Sequence, residues 1–234
     1  MNNNKSSNFL HIKNILESIS SEYDFMNDLM TFKNHSKWKK EIAEIAKYSS
    51  PKKILDVATG TGDIAINLSK IKGSKIEGVD VSSNMLKIAR KKIDELKIDN
   101  IVLKTCEAEN LVFEDNHFDI VSIRYGVRNF SNLEKGLSES YRVLKKDGKL
   151  IILETSIPEN LIIRFMYTII TSIYIPLIAF IFSGKTKAYL YLLDSTKKFP
   201  PKHKFIEMLY RTGFEKVETR RKLFGASTIY IISK

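Results

Sequence analysis

The sequence predicts an α/β protein built on a doubly wound, mostly parallel sheet, with a helical insertion before its last two strands. Three observations carry this prediction. Short apolar runs alternate with stretches of helical apolar spacing through roughly the first two thirds of the chain, the pattern of strand–helix–strand crossovers whose helices cover both sheet faces. The run Ile54-Leu55 leads into a glycine-rich turn, Asp56-Val57-Ala58-Thr59-Gly60-Thr61-Gly62-Asp63, with Ile64, Ala65 and Leu68 at helical spacing behind it; a strand hands over to a helix in this way at a ligand-binding loop. A second acid, Asp80, ends Lys75-Ile76-Glu77-Gly78-Val79-Asp80 about twenty residues beyond Gly60, where the next parallel strand would finish after one crossover helix.

The elements follow in order within one domain of residues 1–234. Residues 1–48 form an N-terminal helical segment, with Trp38, Ile42, Ile45 and Ala46 on one face of a helix over 38–47. Lys53–Val57 is a strand, 62–70 a helix and 75–80 the second strand. Ser82–Leu96 reads as a helix with Ser82 or Ser83 as its N-cap. Ile101–Thr105, Phe118–Ile123 and Lys149–Glu154 are further strands, the last two separated by a helix over about 132–145 that ends at Asp147-Gly148. After Pro158 helical segments run to about residue 212, a substrate-side insertion over 158–212, and Phe214–Arg221 with Ser227–Ile232 closes the chain.

Composition narrows the function. The single cysteine, Cys106, excludes an internal disulfide framework and a Cys-rich zinc site, and no metal is expected; as a small apolar residue at a strand end it reads as packing. Met1–Asn8 carries no apolar signal core, so a cytoplasmic location is expected. A net charge of +11 suggests attraction to an anionic surface. The lysines are dispersed, however, and no recognition helix or single-strand-binding motif accompanies them, so a nucleic-acid partner is not expected.

Gly60-Thr61-Gly62-Asp63-Ile64-Ala65 satisfies the loose G-x-G-x-x-G/A pattern, which serves dinucleotides and S-adenosylmethionine alike. The acids discriminate between them. A pyrophosphate at the helix N-terminus would be repelled by Asp56 and Asp63, whereas S-adenosylmethionine has no phosphate and carries a sulfonium and an ammonium. Asp56, Gly60 and Gly62 are therefore candidate cofactor contacts, with Asp80 placed for the ribose hydroxyls.

Longer blocks carry a more specific resemblance. Tyr23-Asp24-Phe25-Met26-Asn27-Asp28-Leu29-Met30-Thr31-Phe32, with His35 and Trp38-Lys39, precedes Gly126-Val127-Arg128-Asn129-Phe130 and Tyr141-Arg142-Val143-Leu144-Lys145. Leu153-Glu154 with Ser156 and Pro158, and then Tyr189, Tyr191-Leu192, Asp194-Ser195 and Phe199-Pro200, complete the series. From Tyr23 to Phe214 the chain resembles the C-methyltransferases of menaquinone and ubiquinone biosynthesis, of the demethylmenaquinone methyltransferase type. The resemblance implies a Rossmann-like class I methyltransferase fold with S-adenosylmethionine as methyl donor. It implies cofactor contacts at Thr61, Asp80, Glu107 and Ala108, Glu107 bordering the adenine at the carboxyl edge of the sheet. The implied acceptor is a polyprenylated quinol, demethylmenaquinol first, with a ubiquinone precursor (2-methoxy-6-polyprenylbenzoquinol) as the alternative and an RNA-modifying methyltransferase as the rival from another class. Arg128 and Asn129, after the fourth strand, are the candidates for the quinol oxygens, and Tyr23 for closing the pocket; bound water or His35 would accept the proton. Arg124 departs from the family, which usually has a small residue such as serine there, and Gly184-Lys185-Thr186-Lys187 replaces an acidic stretch.

Leu161–Phe182 contains one charge, Arg164. It is long enough to span a membrane, but Pro176 interrupts it and a span would part the last strands from their sheet. The reading taken over a span or a buried core helix is an apolar wall for a greasy substrate, or a peripheral contact with the membrane's inner face.

Overall fold

Seven strands lie in the order β3-β2-β1-β4-β5-β7-β6: β1 (Lys53–Val57), β2 (Lys75–Asp80), β3 (Ile101–Thr105), β4 (Phe118–Arg124), β5 (Leu144–Thr155), β6 (Lys216–Lys222) and β7 (Ser227–Ser233). The computed structural model describes residues 2–31 and 34–234; Met1 and Phe32 of the early sequence block lie outside the described residues. β1 to β5 run parallel, and β7 is antiparallel to both β5 and β6. This is the doubly wound, mostly parallel sheet that the sequence predicts. The strand order reverses between β1 and β4, the switch point beside which ligands of such sheets bind.

Period-two alternation along the strands makes two cores. Leu55, Val57, Val121, Ile123, Leu150, Ile152, Tyr230 and Ile232 face one side, with Leu137 and Val143 of α6 (Leu133–Val143) and Phe205 and Leu209 of α10 (Lys202–Thr212). Ile54, Ile76, Ile120, Ile151, Leu153, Ile229 and Ile231 face the other, against α3 (Asn34–Lys47) and α4 (Asp63–Leu68). Strands covered on both faces need continuous apolar runs, which is why they read clearly from the sequence. α5 (Ser83–Glu95) packs on β2 and β3, with Ser82 as N-cap accepting from Met85 N at 3.1 Å.

Two expectations fail locally. Asp147-Gly148 does not end a helix: α6 stops at Val143, β5 begins at Leu144, and the β4–β5 register jumps from Phe118↔Leu144 to Ile120↔Lys149. Asp147 takes φ 66°, and a Cβ on Gly148 would lie 2.8 Å from the Lys145 carbonyl, so the pair shapes a bulge inside the strand. Nor does Pro176 break the apolar segment. α7 (Leu161–Ile169) passes into a π turn, Ile170–Tyr174, and on into α8 (Ile175–Phe182) as one 22-residue helix. A wider turn beside the proline accommodates its missing N–H.

That helix is not a core helix: Phe165, Ile173 and Phe180 are 66%, 63% and 71% exposed. Among the described residues it is the one helix long and apolar enough to cross a membrane by length and composition. Its inner side, Ile178 and Ala179, joins Ala188 and Tyr189 of α9 (Thr186–Lys198), Ile19 of α1 (Asn2–Ile19), Met26 of α2 (Tyr23–Met30) and Met85 in a third core. The insertion and the N-terminal helices thus form a single cap over the ligand edge of the sheet. α10 belongs instead to the layers around the sheet, so the cap-forming part of 158–212 is α7 to α9. At the far edge β6, Lys-Val-Glu-Thr-Arg-Arg-Lys, shields the apolar β7.

Candidate active site

The carboxyl ends of β1, β2, β3 and β4 meet at one cleft of about 680 Å³ including its mouth, within the size range of small-molecule sites. Gly60, Asp80, Cys106 and Ala108 line the cofactor side, Arg124, Tyr125 and Asn129 the β4 side, while Ile12 and Leu16 of α1 and Tyr23 of α2 cover it. The strand tips approach closely. Ala58 and Tyr125, just past β1 and β4, both take left-handed φ (54° and 53°), and a Cβ on Gly126 would lie 2.6 Å from that of Ala58. Such backbone persists where surroundings over-determine it, characteristically at ligand sites.

Asp80 is buried and holds the loop. Its Oδ2 accepts from Gly60 N and its Oδ1 from Ser82 N, both at 2.8 Å. Burial raises its pKa against these two hydrogen bonds. Gly60 has φ 56° and nothing within 4 Å of a built Cβ, so its backbone is open to a ligand. Asn129 is the clearest polar vacancy: its Oδ1 is buried with no hydrogen-bond partner among the described residues, and Asn129 lines the cleft. A carboxylate at the tip of β2, an open glycine and an unpartnered amide oxygen fit an uncrowded, phosphate-free cofactor such as S-adenosylmethionine.

Other sequence candidates are placed differently. Asp56 does not line the cleft: at 1% exposure it accepts from Thr59 Oγ1 and Ser122 Oγ, both at 2.6 Å, and ties β1 to β4. Burial lifts its pKa to about 6, against those two hydrogen bonds. Gly62 is a packing glycine, since a Cβ there would lie 2.9 Å from Ala89 Cβ on α5. Thr61 gives its hydroxyl to Asp24 Oδ1 of α2 at 2.6 Å, and Glu107 is exposed beside the cleft whereas Ala108 lines it. Asp63, expected to repel a pyrophosphate, is neutralised: burial pushes its pKa up, but Lys39 and Lys92 together outweigh it and hold the carboxyl well below the usual range. Lys92 also pairs with Asp24, so a chain of charges fastens α2 to the glycine loop.

Arg128 is buried behind the cleft. Its Nη1 pairs with Glu154 Oε1, its backbone N–H donates to Glu154 Oε2 at 3.3 Å, and its Nε donates to Ser195 Oγ at 3.2 Å. Arg128 does not itself line the cleft, and its guanidinium lies 5.6 Å from the centroid of the Tyr125 ring, which does. Glu154, fully buried at the tip of β5, escapes sequence reasoning as a site residue, although a carboxylate ending the apolar run Leu150–Leu153 is a signal that it has a partner.

His35 cannot be the proton acceptor. It is buried against Arg124, whose Nη1 contacts both ring nitrogens, and burial followed by the charges of Arg124 and Lys39 lowers its pKa to about 2. The imidazole stays neutral and is too weak a base at neutral pH. It does set a pH dependence. Unfolded His35 takes a proton below about 6.5 and folded His35 does not, so its contribution to stability is lost as pH falls through that window. Wild-type stability relative to His35→Gln should therefore drop by about 2 kcal/mol between pH 7 and 5, at about 1.4 kcal/mol per unit below 6.5. Parallel denaturation curves at the two pH values would refute this assignment.

Comparison with known proteins agrees with this geometry. The model of the ubiE/COQ5 methyltransferase family matches residues 1–234. The chain is 39% identical over 227 residues to a demethylmenaquinone methyltransferase of Chlorobaculum tepidum, covering 95% of this chain and 92% of the relative. It is 33% identical over 226 residues to the ubiquinone/menaquinone biosynthesis C-methyltransferase UbiE of Blochmanniella pennsylvanica, covering 95% and 89%. Among solved structures, a putative S-adenosyl-L-methionine-dependent methyltransferase from Methanococcus maripaludis shares the fold, with TM-score 0.62 and 21% identity over 94% of this chain and 91% of that one.

Proposed function

The chain belongs to the ubiE/COQ5 methyltransferase family, and from that premise we propose that it methylates a ring carbon of a polyprenylated quinol, with demethylmenaquinol as the acceptor. S-adenosylmethionine supplies an electrophilic methyl group when bound. The observation that carries the reading is the cleft itself, which sets Asp80 and Gly60 on one wall and Tyr23 and Asn129 on another, beneath a cap whose outer face is apolar.

The residues have separable tasks. Asp80 and the Gly60 backbone orient the donor, and Tyr23 and the walls of α1 exclude water. Asn129, with Arg128 behind it, is assigned to hold the quinol oxygens and favour the phenolate. Loss of the hydroxyl proton pushes electron density onto the neighbouring ring carbon. That carbon then forms its bond to the methyl as the methyl–sulfur bond breaks; loss of the ring proton restores the aromatic ring and the oxygen takes a proton back, so one proton is released in all. Bound water is the acceptor we assign for the protons, since His35 is too weakly basic. A ubiquinone precursor is the second reading, favoured by the dual name of the Blochmanniella relative. An RNA acceptor is disfavoured because the cap beside the cleft is apolar rather than a basic groove with stacking aromatics.

A quinol with an isoprenoid tail stays in the bilayer, and we assign the exposed face of α7 and α8 to reversible attachment at the membrane's inner surface. The test uses vesicles containing long-tailed quinols, with methylated product read by mass spectrometry. Demethylmenaquinol should be converted faster than 2-methoxy-6-polyprenylbenzoquinol. Ile173→Asp with Phe180→Asp, both at exposed positions, should lower turnover of long-tailed quinol by about tenfold or more relative to a tail-less analogue, because acids are expensive at the acyl boundary. Equal losses on both substrates would reduce the helix to a structural part.

A further inference from the structure

A second cavity, about 1420 Å³ including its mouth, lies between the start of α7, the α9–α10 junction and the β6–β7 turn. Its walls differ in kind. Ile157, Ile163, Phe199 and Tyr230 give an apolar interior, whereas Arg164, Lys197, Lys202 and Arg221 bring cationic groups, and His203 an imidazole, to the same space. Among the described residues Glu159 is the one acid lining it, and it is met by Arg221 at 2.6 Å and Lys202 at 3.7 Å. Arg164 donates only to the carbonyls of Pro158 and Glu159, and Lys197 has no ion-pair partner among the described residues. Several positive charges therefore converge with a single carboxylate to balance them.

The helix end does not explain the cluster, because Asn160 already caps α7 by accepting from Ile162 N and Ile163 N. The position is informative. Leu161, Ile162 and Phe165, on the first two turns of the same helix, are exposed and begin the apolar face. Cations beside an apolar interior, at the foot of an apolar face, match an amphiphile whose head is a phosphate and whose body is hydrocarbon.

We propose that this cavity binds the phosphate headgroup of an anionic phospholipid, anchoring the cap to the membrane at a fixed place. The proposal rests on the membrane contact assigned above to α7 and α8. It adds a discrete site to what would otherwise be diffuse attraction from net charge, and it sets which way the cap meets the surface.

The test compares the full chain with Lys197→Gln/Lys202→Gln and with a control, Lys70→Gln/Lys87→Gln, which removes the same charge at exposed positions after α4 and on α5. Sedimentation is measured with phosphatidylcholine vesicles with and without phosphatidylglycerol. The site variant should lose about tenfold or more in affinity for the anionic vesicles, since each lysine at such a surface contributes about fivefold. It should keep its binding to phosphatidylcholine, and the control should change by less than about threefold. Equal losses in both variants would mean net charge alone, and overturn the site. Inorganic phosphate that saturates the cavity, followed by the His203 imidazole resonances, and displaces the protein from vesicles only at saturation would support a headgroup pocket; saturation without displacement would make it a free-phosphate site and overturn the lipid assignment. Loss of duplex-RNA binding with vesicle binding intact would also overturn it. A wild-type chain that binds no vesicle would remove the membrane contact itself, a result distinguishable from binding that persists but ignores these lysines.

Discussion

Arg128→Ala should destabilise the fold by about 3–5 kcal/mol, because removing one member of a buried pair leaves Glu154 charged and uncompensated. Glu154 is fully buried, and Arg128 also carries the hydrogen bond to Ser195 on α9. A midpoint lowered by about 10 °C or more in thermal denaturation is the corresponding signal. Because this loss would mask any catalytic effect, the informative variant removes both charges. Arg128→Met/Glu154→Leu should recover much of the stability, retain cofactor affinity, and still turn over about a hundredfold more slowly if Arg128 helps to hold a quinol oxygen. Full turnover in the stable double variant would leave the pair a structural bolt between β5 and α9.

Asp80→Ala should weaken S-adenosylmethionine binding by about 1.5–3 kcal/mol, roughly tenfold to a hundredfold in Kd, through loss of a charged acceptor for the ribose hydroxyls. Asp80→Asn should do nearly as much harm. Both carboxylate oxygens already accept backbone hydrogen bonds, from Gly60 and Ser82, and an amide would turn a donor toward one of these N–H groups. Titration calorimetry of the two variants decides the matter. Unchanged affinity in Asp80→Ala would remove Asp80 from the cofactor site, and an Asn variant that binds like wild type would show that only one oxygen is needed.

How far such a site can be read in advance depends on how local its causes are. β1, β2 and β3 follow the sequence residue for residue, because turn signals bound each short run and its apolar residues stand out, even in β3, which lies at the sheet edge and is largely exposed. Asp147-Gly148 is ambiguous for a local reason too: the same dipeptide ends helices and shapes bulges, and only the β4 partner decides. Spacing identifies the loop from Asp56 to Asp63 but says nothing about where each side chain points, so Asp56 and Gly62 read alike with Gly60 although only Gly60 opens on the cleft. The partners that redefine the site are remote: Asp24 lies 37 residues from Thr61, Glu154 lies 26 from Arg128, and Arg124 lies 89 from the His35 it packs against. Whether Pro176 breaks a helix depended on whether the preceding turn could widen.

The charged edge strand has a consequence for the chain's biogenesis. Ser-Thr-Ile-Tyr-Ile-Ile-Ser of β7 is uncharged, free of proline and rich in β-branched residues, the kind of segment that seeds cross-β assembly when bare. It is synthesised well after its partner β5, which lies far upstream. β6 emerges just before it, with five of its seven residues charged, Lys216, Glu218, Arg220, Arg221 and Lys222, and pairs with it through a short turn. The stickiest strand of the molecule thus leaves the ribosome behind an electrostatic gatekeeper, and in the finished sheet that gatekeeper is what a neighbouring molecule meets at the edge.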